Sequence, residues 1–360
     1  MTEREYLIAL YSFLPFGPAR TELLIKYFGS SRKAWKTKEK NLSDTGLNSD
    51  TVNKFLKYRE RFDFKKYFSN LKKLSIKTVV KGDKDYPINL RELQDAPLVL
   101  YVRGCLKSGD INSVAIVGSR KMTSYGKEVT RKFAGELGKM GIAIVSGLAF
   151  GVDFASHQAC IESGGRCIAV LASGVDVITP RSNEWLGRKI ITSGGAVVSE
   201  FPPGTIPQRH FFPFRNRIIS GLSRAVIVIE GTIKSGTFHT VRHAANQGKP
   251  VFAVPGQITS PMSQGPLYLI KNGAKVLTET KDILEELSIQ LDVDVEAVEK
   301  AMPSGKGEIR LLKVLEKEEL HIDEISRLSG YSITKVSSEL VIMELKGLVR
   351  SLGNGMYKKV

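Results

Sequence analysis

Between residues 114 and 254 the chain repeats one arrangement: a short apolar run, a glycine-bearing turn, then a segment with helical spacing. "VAIVG" (114–118) is β-branched and apolar without alternation, as expected of a strand covered on both faces. "SYGKEVTRKFAGELGKMG" follows with helical spacing and stops at Gly141, a residue type that readily takes the left-handed conformation ending many helices. "IAIVSG" (142–147), "RCIAVLASG", "AVVSE", "AVIVIEG" and "PVFAVPG" read as further strands, with helical segments between them. Strands joined through single helices imply right-handed crossovers and a parallel sheet. The middle of the chain is therefore expected to be α/β, a Rossmann-like doubly wound parallel sheet.

The flanks read differently. Residues 1–68 carry short helical pieces punctuated by glycine, "FGPARTELLIKYFGS" and "LSDTGLNSDTVNKFLKY", and predict a small helical N-terminal domain. Residues 69–288 form the sheet domain, entered through an extended arm around "DYPINLRELQDAPLVLYVRG". Residues 289–305 read as an acidic linker. Residues 306–360 give three helices and a hairpin turning at Asn354-Gly355, the pattern of a C-terminal winged helix.

Charge narrows the partner. The formal net charge is +16 and the pI about 9.6, a balance that points to a polyanion. Residues 1–110 net +9 and residues 111–288 net +8, whereas residues 289–360 net −1. The three cysteines, Cys105, Cys160 and Cys167, form no CxxC pair, which predicts a reduced, cytoplasmic protein without disulfides or a thiolate metal site. No signal peptide is evident, and no apolar run approaches the ~20 residues of a membrane span.

In an open α/β sheet, ligands bind beyond the carboxyl ends of the strands. The glycine-rich turns gather there: "GSR" (118–120), "SGLAFG" (146–151), "SGVD" (173–176), "EFPPG" (200–204) and "EGTIKSGT" (230–237). Glycine permits close backbone approach and leaves N–H groups free at a helix start, so together these turns predict an anion site. Neither G-x-G-x-x-G nor G-x-x-x-x-G-K-[ST] occurs, so the dinucleotide and P-loop fingerprints are absent. Residues 166–249 instead hold eleven Lys or Arg against four Asp or Glu. One nucleotide does not need that excess; a strand of phosphates does, because each neutralised phosphate releases counterions. Phe211, Phe212 and Phe214 stand beside Arg215 and Arg217. Rings for unstacked bases next to phosphate-binding forks favour single-stranded nucleic acid over duplex, which hides its base faces.

The ordered strings "GSR", "SGLAFGVDFASH", "SEFPPGTIP", "FPFRNRIISGLS", "VIEGTIKSGT" and "VPGQITSPMSQGPLYLIKNGA" resemble the DNA-processing protein DprA (Smf) family, and the resemblance extends over nearly the whole chain. It implies a non-enzymatic protein that binds incoming single-stranded DNA, forms a homodimer and helps load the RecA recombinase during natural transformation. The DNA site that it implies comprises Ser119 and Arg120 of "GSR", Arg181 of "ITPRSN", Phe212, Arg215, Asn216 and Arg217 around "RNR", and Lys234, Ser235, Gly236 and Thr237 of the turn that follows. No cofactor or metal is implied.

Other constellations carry less. His239 and His243 have i,i+4 spacing without a third ligand, and Asp153 with His157 reads as a helix-start aspartate beside a packed histidine. Glu230 ends a strand at the rim and is the best acid for an alternative reading, a nucleotide-processing N-glycoside hydrolase on a similar fold; it lacks a second catalytic group. A winged-helix transcription factor would need a basic recognition helix, which "SITKVSSELVIMELKG" does not supply. Its Val336, Leu340, Val341, Met343 and Leu345 exceed one core-facing stripe and predict a protein contact surface.

Overall fold

The computed structural model describes residues 1–91, 93–288, 306–316, 318–345, 348–353 and 355–359. The chain divides into two compact units, Met1–Ile289 and Gln290–Val360.

The first unit begins with six helices: Glu3–Tyr11, Gly17–Phe28, Ser31–Lys36, Glu39–Ser43, Ser49–Arg61 and Phe64–Lys73. Their starts are capped by side chains: Thr2 with Glu5, Asn48 on the Thr51 N–H and Asp63 on the Lys66 N–H. Trp35 and Phe55 pack edge to face at 5.6 Å in an aromatic core with Phe13 and Phe16. The helix Glu3–Tyr11 serves two cores, placing Tyr6, Ala9 and Leu10 among these rings and Ile8 and Tyr11 in the core under the sheet. The helical segment is thereby anchored to the sheet.

Nine strands form the sheet: β1 (Lys77–Val80), β2 (Val99–Gly104), β3 (Ser113–Val117), β4 (Ala143–Ser146), β5 (Cys167–Val170), β6 (Ala196–Ser199), β7 (Ala225–Val228), β8 (Val251–Ala253) and β9 (Lys275–Val276). They lie in the order β1-β2-β6-β5-β4-β3-β7-β8-β9. From β6 to β9 all pairs are parallel; β1–β2 and β2–β6 are antiparallel. The segment expected to be an extended arm is thus partly an antiparallel edge, with β2 inside it and a helical turn at Ile88–Arg91. Such an edge needs no crossover helix, so the strand-helix spacing that reveals a parallel sheet is blind to it.

Alternate residues divide between two cores. Val114, Ile116, Ile144, Ala169, Val197 and Ile227 pack under Ser124–Lys139, Val152–Glu162 and Glu184–Thr192. Ala115, Val117, Val145, Ile168, Val170, Val198 and Val228 pack against Phe211–Leu222, Thr237–Asn246 and Gln264–Lys271. From β3 the chain winds outward through β4, β5 and β6, then returns to β7 on the other side of β3. The β3–β7 junction is therefore the topological switch point, where open α/β sheets form their crevice.

The second unit holds helices Lys306–Val314, Ile322–Ser329 and Ile333–Leu345 and a three-stranded sheet of Leu320–His321, Val349–Gly353 and Met356–Lys359. Gly330, at φ +71°, ends the middle helix, a left-handed position that suits glycine. Leu311, Ile325, Val336, Leu340 and Met343 form the core, leaving Val341 and Ile342 about half exposed. The linker at 289–305, Lys346 and Asn354 of the hairpin turn lie outside the described residues, as does the side chain of Leu345.

Candidate nucleic-acid interface

At the switch point the turn after β3 is latched to the end of β7. The Ser119 N–H donates to the Glu230 carbonyl at 2.7 Å, and the Glu230 carboxylate accepts from the Thr123 N–H at 2.8 Å and its hydroxyl at 2.5 Å. Thr123 in turn caps the helix Ser124–Lys139. Gly126 fits because a Cβ there would stand 2.5 Å from the Glu230 carboxyl carbon. Gly151, at φ +74°, presses on the same turn; a Cβ there would lie 2.8 Å from the Arg120 carbonyl carbon. Glu230 thus clamps a loop, with both carboxylate oxygens engaged.

This clamp holds Ser119 partly buried and Arg120 exposed. The Arg120 guanidinium carbon lies 5.3 Å from the centre of the Phe212 ring, and that of Arg215 lies 6.0 Å from the same ring. Three residues from three segments of the sequence therefore converge.

Arg215 and Arg217 are placed differently from the surface fork expected of "RNR". They are 4% and 2% exposed. Arg215 donates to the Gly147 carbonyl at 3.0 Å and to the Val170 carbonyl, and its Nε donates to Asn216 Oδ1 at 3.2 Å. Burial pushes its pKa down to about 10, opposed by the Asp153 carboxylate. Asp153 itself accepts from the Gly147 N–H at 3.1 Å. Arg217 pairs with Glu200 at 2.5 Å beneath the Phe214 ring, 4.3 Å from its centre. Glu200 also accepts from the Tyr11 hydroxyl at 3.3 Å. Burial raises the Glu200 carboxyl's pKa while the Arg217 charge pulls it back. Both arginine charges are directed into the protein, because the helix Phe211–Leu222 lays Arg215, Arg217 and Ile218 against the sheet.

The other expected residues line the remaining rim. Lys234 and Gly236 are exposed, Ser235 is partly buried and Thr237 buried. Ser235 Oγ accepts from the Thr237 N–H at 3.1 Å and donates to its hydroxyl at 2.7 Å, fixing the start of the helix Thr237–Asn246. Arg181 is exposed on a turn whose Asn183 donates to the Leu148 carbonyl at 3.0 Å, in the loop after β4. Of the three rings, Phe211 stacks on Phe201 at 4.3 Å, Phe212 is partly buried and Phe214 is 41% exposed. His157 is fully buried, its pKa pushed down to about 3 by desolvation. Among the described residues no three His, Cys, Asp or Glu side chains gather as a metal site. Sequence reasoning did not assign Glu200, Asp153 or Tyr11; the only signal was that Glu200 ends β6 on the same rim as the arginines.

The profile of DNA recombination-mediator protein A matches residues 77–288, more than half of the chain, and that of the DprA winged helix domain matches residues 295–355. This chain belongs to the DNA recombination-mediator protein A family. Protein Smf of Escherichia coli is 35% identical over 88% of this chain and 86% of its own length. The DNA processing protein DprA of Bacillus subtilis is 44% identical over 59% of this chain and 71% of its own. The X-ray structure of Streptococcus pneumoniae DprA matches with a TM-score of 0.68 and 32% identity, covering 81% of this chain and 99% of that one. A Helicobacter pylori DprA structure, described for its single-stranded DNA binding mode, matches with a TM-score of 0.52 and 29% identity over 59% of this chain and 95% of that one. No described helix is long and apolar enough to cross a membrane.

Proposed function

We propose that this member of the DNA recombination-mediator protein A family binds single-stranded DNA along the switch-point rim, in the cytoplasm. It protects the incoming strand, acts as a homodimer and hands the DNA to RecA recombinase during natural transformation. The observation that carries the reading is the exposed Arg120 guanidinium set over the partly buried Phe212 ring at the β3–β7 crevice. It offers a phosphate contact and a stacking surface side by side. Ser119, Lys234, Ser235, Gly236 and Arg181 extend the rim, Thr237 closes its turn, and Asn216 with the buried Arg215 and Arg217 positions the ring-bearing helix start. The single-stranded DNA binding described for the Helicobacter pylori relative supports the reading. The hydrolase alternative is weakened because Glu230, its acid, is committed to Thr123.

Titration with single-stranded and duplex DNA of equal length tests this. Single strands should bind more tightly, and 4–6 phosphate contacts should make affinity fall by roughly two to three powers of ten between 50 and 200 mM salt. Equal affinity for the two forms, or a flat salt response, refutes it.

The winged helix contributes little to that affinity on this reading. Residues 289–360 net −1 and offer almost no counterion release. Val341 and Ile342, each about half exposed, suit a protein contact instead. A chain ending near Pro303 should keep its single-strand affinity within about threefold. A hundredfold loss would make this domain a DNA reader.

A further inference from the structure

A second pocket lies beside the rim, between the helical N-terminal segment and the sheet, with a volume of about 280 Å³. Leu14, Phe16, Phe201, Phe211 and Phe214 line it together with Glu200. The Glu200 carboxylate is 4% exposed. Its Oε2 takes the Arg217 guanidinium and the Tyr11 hydroxyl, but its Oε1 is buried without a hydrogen-bond partner among the described residues. A buried, desolvated carboxylate oxygen is costly to leave unpaired, so this one is poised for a donor brought in by a ligand. Flat ring walls around one unpaired acceptor fit a flat ligand with an N–H₂ edge.

We propose that this pocket takes one unstacked nucleobase of the bound strand and prefers bases with an exocyclic amine. This rests on the single-stranded DNA reading and adds to it a base-selective subsite. Continuity comes from the helix start: Phe211 and Phe214, three residues apart, share one helical face and line the pocket, while Phe212, on the adjoining face, lies under Arg120. A strand held by phosphate at Arg120 would have a neighbouring base within reach of the pocket. Cytosine N4, adenine N6 and the guanine amino edge donate to a carboxylate. Thymine presents its N3–H between two carbonyl oxygens, which the carboxylate repels. The N-terminal segment, through Leu14 and Phe16, becomes part of the DNA site.

The test is the ratio of affinities for oligo-dC and oligo-dT of equal length at pH 8, compared between wild type and variants. Glu200→Gln replaces the acceptor with an amide and should lower the dC-to-dT affinity ratio about tenfold, the value of one charge-assisted hydrogen bond. Because Glu200 also neutralises Arg217, that variant risks misfolding. Leu14→Trp is therefore the second arm: Leu14 is 41% exposed, and the indole fills the pocket without touching the ion pair. It should lower the ratio by a similar factor while dT affinity stays within about twofold and the melting temperature is unchanged. A ratio that does not change in folded Leu14→Trp overturns the base pocket and leaves rim binding intact. Absence of single-strand binding in the wild-type chain would instead overturn the underlying reading.

Discussion

Arg217→Ala should lower the free energy of unfolding by about 3–5 kcal/mol, a large share of the stability of an ordinary domain. Arg217 and Glu200 are 2% and 4% exposed, so both charges are out of water and each compensates the other. Alanine leaves Glu200 as an uncompensated buried charge and removes the guanidinium from under the Phe214 ring. Asp95 offers little, since its carboxylate is 3.8 Å from Arg217 Nε and half exposed. A double variant with apolar residues of similar volume, Arg217→Met with Glu200→Leu, should recover most of the loss, because it removes both desolvated charges together. Urea unfolding followed by circular dichroism measures both. An Arg217→Ala protein of near wild-type stability that no longer binds DNA would show that the side chain is a phosphate ligand after all.

Arg120→Ala should do the reverse. Arg120 is exposed and makes its described contact over the Phe212 ring, so stability should change by under ~0.5 kcal/mol. Single-strand affinity should fall about tenfold to a hundredfold, the value of one charge-assisted contact at a partly desolvated site. The loss should be the same for all sequences and should reduce the salt slope by about one unit. Fluorescence anisotropy across a salt series reads both quantities. A loss confined to particular sequences would make Arg120 a base reader, and a loss under twofold would remove it from the site.

These two arginines mark the limit of reading the site from sequence. "GSR" and "RNR" look alike as motifs, each a basic residue beside small or polar ones near a strand end. What separates them is packing. Arg120 follows β3 on a loop that Glu230 and Gly151 hold outward, whereas Arg215 and Arg217 lie on the sheet-facing side of a twelve-residue helix. The acceptors that draw them in are the carbonyls of Gly147 and Val170 and the carboxylate of Glu200, 68, 45 and 17 residues away along the chain. No local pattern reports such partners. Glu230 illustrates the same limit: its place at a strand end invites a catalytic role, and only its bonds to Thr123 reveal a structural one.

The sequence by itself determined the α/β class, the rim on which the glycine turns gather, the helical and winged-helix flanks and the polyanion-seeking charge. These follow from local periodicity and composition, which burial on two faces of a sheet imposes directly on neighbouring residues. The tertiary structure alone decided the antiparallel β1–β2 edge, the inward turn of Arg215 and Arg217, and the pocket that joins Leu14 and Phe16 to Glu200. Each of these depends on groups distant in sequence meeting in space, where desolvation makes a buried charge seek whatever partner the fold brings to it.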